Sequence, residues 1–403
     1  MATGSAGARS EQIRQRNLGI VLRHLHCSGP VTRSDLGATT GLTRSAVKTI
    51  VGDLARLGLV TENSSVSSGS PGRPSTLVAP NALHVTLAME ILVDTVAIAV
   101  VSLGGTIRSV VRVERRADAS PVDTVDQLAQ LLGSALDDCG DAAVHGITVA
   151  VPGSVRRSDN AVVLAPNLGW REVPLGEILR AHLNTPVPVT VVNDGDAGAL
   201  GETRRGAAKG VNDVVYVYAE VGVGGGVVVD GQPLRGARGF AAEVGHIPVR
   251  TGGRTCKCGS TGCWETEAGE VALLKRAGRR NTRRRAGLDA VMSAAAEGDQ
   301  RTLDALDEHG IWIGVGVAAL INIFDPQRVV LGGALVPIYA HIERAMQREL
   351  ERRVFDSSGN WAEVVPAKLG AEAPLVGAAE WSWDALLTNP AESSPVAANS
   401  MVA

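Results

Sequence analysis

Hydrophobic positions recur along this chain in two different rhythms, and the change from one to the other divides it. Over residues 11–26, Ile13, Leu18, Val21, Leu22 and Leu25 fall close to a 3.6-residue period, which predicts an amphipathic helix. Ser28-Gly29-Pro30 interrupts it, and Thr32 is placed to cap a short second helix through Leu36 and Ala38. Gly41-Leu42 supplies a turn. Thr43 then caps a third helix with Val47, Ile50, Val51 and Leu54 on its apolar face. Helix, short helix, glycine turn and polar-faced helix is the helix-turn-helix order, in which the last helix enters a DNA major groove. Leu57–Val60 leads into a strand and Thr76-Leu77-Val78 reads as its return, so the module has a two-stranded wing. The candidate DNA contacts are Arg33, Thr43, Arg44, Ser45, Lys48, Thr49 and, between Gly72 and Pro74, Arg73, which is placed to reach a minor groove. A three-helix bundle used for protein contact is the competing reading.

From about residue 83 the rhythm changes to β-rich runs: 84–91, 95–103 and 106–114, then a helix at 121–138, a strand at 144–151 and a β-α pair at 187–192 and 195–206. The same order returns with strands at 213–220 and 224–230, a long helix at 299–323, a strand at 328–331, a helix at 337–353 and a last strand near 362–368. This predicts an α/β protein whose body has two similar lobes with a ligand cleft at the strand ends. The expected domains are 1–80 (winged helix-turn-helix), 83–385 (two-lobed body) and 386–403, a tail rich in Pro, Ser, Asn and Ala and expected to be disordered.

Charge separates these parts. Residues 1–80 carry nine Lys or Arg against four acids, a net +5, so the overall −3 leaves −8 on the rest. A basic head on an acidic body favours nucleic acid as the head's partner. The basic run Lys275–Arg285 reads as a solvated face. Aromatic residues make up 3% of the chain, so the core must be aliphatic. Apolar runs stay short of the roughly 18–20 residues a membrane span needs, and the first ten residues lack the apolar core of a leader. A cytoplasmic protein is expected.

Three of the five cysteines crowd together: His246, then Cys256, Cys258 and Cys263. Three thiolates and one imidazole make a closed tetrahedral structural zinc site, one ion per chain, with no position open for water. Gly252-Gly253 and Gly259 let so short a loop close. Glu243 and Glu265 flank it.

These motifs, Glu243-Val244-Gly245-His246, Cys256-Lys257-Cys258-Gly259 and Gly262-Cys263-Trp264-Glu265, resemble those of the ROK family (repressors, open reading frames and kinases) in spacing as well as content. Asn193-Asp194 with Ala199-Leu200-Gly201-Glu202 resembles the family's Asn-Asp-Ala motif, Gly222–Gly226 its second phosphate loop, and Leu331-Gly332-Gly333-Ala334 its glycine turn beside the nucleotide. The resemblance spans nearly the whole chain. It implies an actin/hexokinase-like body holding a sugar through Asn167, Asn193, Asp194, Glu243, His246 and Glu265, and a Gly-Arg-Pro linker of the kind repressor members carry.

One departure bears on activity. Kinase members open the first lobe with Asp-x-Gly-Gly-Thr, whose glycines admit ATP phosphates; here the stretch is Glu90-Ile91-Leu92-Val93-Asp94. Aliphatic bulk and a further negative charge oppose a triphosphate, and phosphoryl transfer rests on positioning and charge neutralisation. The expectation is a homodimeric or homotetrameric transcription repressor of carbohydrate-utilisation genes that binds a palindromic operator and a sugar or sugar derivative without phosphorylating it. The alternatives are a bifunctional kinase with Asp194 as general base, and an inert scaffold.

Overall fold

The computed structural model describes residues 3–64, 76–116, 118–220, 222–279, 284–356 and 359–401, arranged as two compact units. The first takes Met1–Val149, Gly176–Thr190 and Ala378–Ala403; the second takes Ala150–Leu175 and Val191–Gly377.

The first unit opens with α1 (Thr3–Ser28), β1 (Val31–Thr32), α2 (Arg33–Thr40), α3 (Arg44–Arg56), β2 (Val60–Ser64) and β3 (Thr76–Pro80). The local signals act as read. Thr32 accepts from the Asp35 amide and Asp35 reciprocates, Gly41 ends α2 at φ 70, and Thr43 accepts from the Ala46 amide. Such a cap stabilises a helix by about 1 kcal/mol. β3 runs antiparallel between β1 and β2, which completes a winged helix. Arg73 lies outside the described residues. Val47, Ile50, Val51 and Leu54 of α3 are buried against Leu18, Val21, Leu22 and Leu25 of α1. Buried Asp53, on the same helix, is held by Arg14 Nε at 2.8 Å and by Arg56.

Head and body were expected as separate domains; in the structure they share a core. The cluster under the winged helix continues through Leu103 to Trp383, Leu386 and Leu387 of α12 (Ala373–Thr388). Below lies a sheet of β4 (His84–Ile91), β5 (Thr95–Ser102), β6 (Ile107–Glu114), β7 (Ala143–Val151) and β11 (Val189–Asn193), in the order β11-β7-β4-β5-β6. β4 is buried along its length and β6, at the edge, alternates. α4 (Pro121–Cys139), capped by Ser120 with Asp123, and α5 (Leu175–Leu183) complete the unit.

The expectation of a disordered tail over 386–403 is corrected. α12 runs to Thr388, Val396–Ala397 pairs antiparallel with Val144 and Ala143 of β7, and a 3-10 turn follows at Ala398–Ser400. Polar composition hid the segment because its order comes from a distant strand edge that no local pattern records.

In the second unit β8 (Ser154–Val155), β9 (Val162–Ala165) and β10 (Trp170–Val173) form a small antiparallel sheet. The main sheet contains β12 (Val214–Ala219), β13 (Val223–Val229), β14 (Gln232–Pro233), β15 (Arg328–Gly333) and β16 (Glu363–Pro366), in the order β14-β13-β12-β15-β16. β12 and β13 are antiparallel, while β12, β15 and β16 are parallel. The helices are α6 (Asp194–Arg205), α7 (Trp264–Ala268), α8 (Glu270–Arg276), α9 (Arg284–Ala296), α10 (Gln300–Phe324) and α11 (Leu335–Arg353). α10 is long and apolar enough to cross a membrane by composition, but Ile313, Val317, Leu320 and Ile321 lie in the core with Ile338, Ile342 and Met346 of α11.

Candidate ligand site and metal centre

The site is built on β13, whose glycines let backbone approach from two sides. A Cβ at Gly226 would stand 2.5 Å from the Gly195 carbonyl oxygen, and one at Gly245 would stand 1.8 Å from that of Val223. The first turn of α6 and the 3-10 turn Val244–His246 therefore pack directly on this strand. Asn193 and Asp194 arrive from one element and Glu243 and His246 from the other.

Each polar group has a definite local partner. Asn193 caps α6, its Oδ1 accepting from the Asp196 amide at 3.1 Å and its Nδ2 donating to the Gly153 carbonyl at 3.0 Å. Much of its hydrogen-bonding capacity thus serves the fold. Asp194, buried, accepts from the Gly195 amide at 2.9 Å. Glu243 is exposed and accepts from Ser154 Oγ at 2.6 Å. It follows Ala242, held at φ 61, a left-handed conformation that costs a non-glycine residue strain. Glu265 Oε1 accepts from Cys256 Sγ at 2.9 Å, and a Cβ at Gly222 would stand 2.1 Å from its other oxygen. Asn167 is exposed; Lys257 Nζ, between two of the cysteines, donates to its Oδ1 at 3.5 Å.

The cysteines and His246 converge as the spacing predicts. The ligand atoms of His246, Cys256, Cys258 and Cys263 all lie within 4.8 Å of one another. Cys258 and Cys263 sulfurs are 3.7 Å apart, as are Cys256 Sγ and His246 Nδ1. Thiolates about 2.3 Å from one tetrahedral zinc would be separated by about 3.8 Å, so the donor set fits that ion. Burial pushes the Cys256 and Cys263 thiols up, so thiolate ligands need a cation's charge. Because His246 turns Nδ1 to the cluster, its Nε2 is left for a ligand. One residue can serve both roles expected of it. Backbone bridges Pro248–Cys263 and Thr255–Thr261 shape the knuckle. Buried Glu267 ties it down, accepting from Arg254 at 2.9 Å and Arg276 at 3.2 Å. Trp264, next in the chain after Cys263, is fully buried over Gly316 of α10, where a Cβ would stand 1.9 Å from the indole.

Asp196, which the sequence reading passed over, is the most perturbed acid here. Burial pushes its carboxyl up to about 7, Arg235 opposing and Glu243 reinforcing, and its Oδ1 has no hydrogen-bond partner among the described residues. An acid held above its ordinary value of about 3.9 binds its proton more tightly folded than unfolded. Its stabilising contribution is complete below about pH 4 and is lost as pH rises through about 7. Asp196→Asn is therefore expected to raise the melting temperature at about pH 8 by a few degrees and to change it little at about pH 5, read by thermal unfolding at both.

On the winged helix, Thr43, Arg44, Ser45, Lys48 and Thr49 are all exposed on the first turns of α3. Arg33 is paired with Glu62 of β2 by contacts of 2.5–3.1 Å, so it braces the wing.

An exposed polar helix on a winged head and an α/β body with polar side chains beside a His-Cys knuckle together define the class: a winged helix fused to a kinase-like domain. The chain belongs to the ROK family, whose model matches residues 86–385. It is 31% identical over 368 residues to the xylose repressor of Bacillus subtilis, covering 91% of this chain and 94% of the relative. Among solved structures, a ROK family transcriptional regulator described as a homologue of the Escherichia coli MLC protein superposes with TM-score 0.76 at 25% identity, over 94% of this chain and 98% of that one. A glucokinase from Streptomyces griseus, solved with glucose and AMPPNP, gives 0.63 at 31% identity but covers 74% of this chain and 98% of its own. The similarity to the repressors thus includes the head, and the body's ancestry is shared with kinases.

Proposed function

We propose that this protein represses carbohydrate-utilisation genes by binding a palindromic operator as a homo-oligomer, and that a sugar, with D-xylose the first candidate, releases it. The single observation that carries the reading is the joining of a winged helix to the Asn193, Asp194, Glu243, His246 and Glu265 set in one chain. A polyol is held by acceptors and amides of these kinds, and similarity to the xylose repressor over both parts supports the pairing. Arg44, Ser45, Lys48 and Thr49 are the proposed groove contacts, with Arg73 added from the wing. Structural zinc at His246, Cys256, Cys258 and Cys263 would brace Glu265 and His246 for the ligand. The protein would work in the cytoplasm.

The chain is proposed to bind its sugar without phosphorylating it. Glu90 is buried and accepts from Arg112 at 2.9 Å, which uses the acid that opens the loop. The following turn is tight: the Leu92 amide donates to Thr95 at 2.8 Å, and Arg115 bonds the carbonyls of Val93 at 3.0 Å and Ala119 at 2.9 Å. A loop stapled in this way supports a site closed to phosphates. The retained Asp194 and the glucokinase similarity favour the rival, a bifunctional ATP-dependent kinase. Gel shifts on the upstream DNA with D-xylose and D-glucose, beside a coupled ADP assay, separate the two. Retarded DNA released by sugar with no ADP formed is expected. Steady ADP formation that disappears in Asp194→Asn would establish the rival.

A further inference from the structure

Helix α12 makes tight contacts at both of its ends, and the groups it meets are those of the two functions. Its first turn lies in the second unit against α6, the helix that Asn193 caps and Asp194 begins. A Cβ at Gly201 would stand 2.5 Å from the Ala373 carbonyl oxygen, and one at Gly377 would stand 1.6 Å from that of Ala197. The two helices therefore touch backbone to backbone. Its remaining turns lie in the first unit, where Trp383, Leu386 and Leu387 share one core with α1 and α3. A Cβ at Gly19 of α1 would stand 2.7 Å from the Leu387 carbonyl oxygen, so this end is also in backbone contact. Between the ends, Glu380 Oε2 lies 2.9 Å from His26 Nε2, with both side chains buried, and His26 Nδ1 accepts from the Gly104 amide at 3.0 Å.

We infer that α12 is the connecting rod of the regulator, delivering ligand-dependent displacement of α6 to the winged helix through the Gly201–Ala373 and Gly377–Ala197 contacts and the buried His26–Glu380 pair. This rests on the sugar-responsive reading above. Its physical basis is the lack of slack. Contacts between side chains absorb a small shift by changing rotamer, whereas a carbonyl against a glycine Cα cannot, and close-packed interiors pass such shifts on. The helix is uninterrupted from Ala373 to Thr388, so a shift at one end moves the other. The buried hydrogen bond between His26 Nε2 and Glu380 resists sliding at the head, because separation would break it where water cannot replace it. Gly377, His26 and Glu380 are thus positioning residues that touch neither sugar nor DNA.

The test uses the full chain, its operator and D-xylose. The readout is the ratio of operator affinity without and with sugar, with sugar affinity measured separately by calorimetry. A wild-type ratio in the usual allosteric range of about 5–150 is expected to fall to about 2 or less in Gly377→Ala, where the displaced α6 also alters the D-xylose Kd, and to shrink in Glu380→Gln with the D-xylose Kd within about threefold of wild type. A residue that only supported the fold would move both affinities and leave their ratio. Hydrogen exchange on the wild type needs no variant: xylose is expected to change amide protection along 378–388 and 18–26. A wild type that releases its operator with no such change, or a folded Gly377→Ala that keeps the full ratio, overturns the inference. A wild type that neither binds nor responds to a sugar overturns the reading beneath it, and the rod with it.

Discussion

Removing the metal with a chelator, or replacing Cys263 by serine, is expected to dissolve the knuckle between His246 and Trp264 and to abolish sugar binding, while the winged helix stays folded. The knuckle's turns run through glycines at positive φ, Gly252, Gly259 and Gly262, and it is crossed by short backbone hydrogen bonds, such as that from the Gly262 amide to the Arg254 carbonyl, and by the Glu267 ion pairs. A zinc ion held there would add ordering energy, since structural zinc sites in small peptides carry apparent binding energies of about 10–16 kcal/mol. The consequence spreads because both neighbours of Cys263 in function are attached to it. Trp264 plugs the notch over Gly316 and donates to the Trp312 carbonyl at 2.7 Å, and Glu265 leans on Cys256 and Gly222. Metal analysis should give one zinc per chain, calorimetry should lose the sugar isotherm on chelation, and added zinc should restore it. A metal-free chain that binds sugar with unchanged affinity would show that the knuckle does not organise the site.

Glu202→Ala is expected to be the most destabilising single change outside the knuckle, at about 3–5 kcal/mol, or a melting point lower by roughly 10 °C. Glu202 is fully buried at the end of α6 and accepts from the amides of Ala207 at 2.6 Å, Lys368 at 3.2 Å and Leu369 at 2.7 Å. One carboxylate thereby ties the helix to the turn after β16, and truncation leaves three donors to find water or nothing. Gly206 exists to admit it, since a Cβ there would stand 1.8 Å from Oε2. Glu202→Gln, which keeps the shape but only one of the two accepting oxygens and turns its NH2 toward an amide donor, should recover only part of that loss. Sugar affinity measured well below either melting point should be unchanged, because the residue holds the helix and not the ligand.

Glu202 also illustrates how the motifs divide. Part of the conspicuous family pattern proves structural once the neighbours are known. Asn193 spends its amide on a helix cap. The Gly222–Gly226 stretch, which resembles a phosphate loop, runs from a bend at Gly222 into β13, on which α6 and the Val244–His246 turn close. Gly332 and Gly333 allow the same close packing at β15, where a Cβ would meet Tyr216 at 2.4 Å and the Ala219 carbonyl at 2.2 Å. Asp196 gave no signal at all, since an aspartate near a helix start reads as an ordinary capping residue until its burial is seen.

By itself, then, the sequence determined what neighbours along the chain can settle. Thr32, Gly41 and Thr43 bound their helices, the strands of both sheets followed their apolar runs, and the cysteine spacing closed on one point. Caps, periodicity and short loops act within a few residues, so their physics is written locally. Tertiary structure alone decided that residues 386–401 are ordered, that α12 forms the floor of the winged helix, that His26 meets Glu380 across 354 positions, and that Asp196 is dry. Those are properties of packing between distant segments, and desolvation depends on which surfaces meet, which no local pattern records.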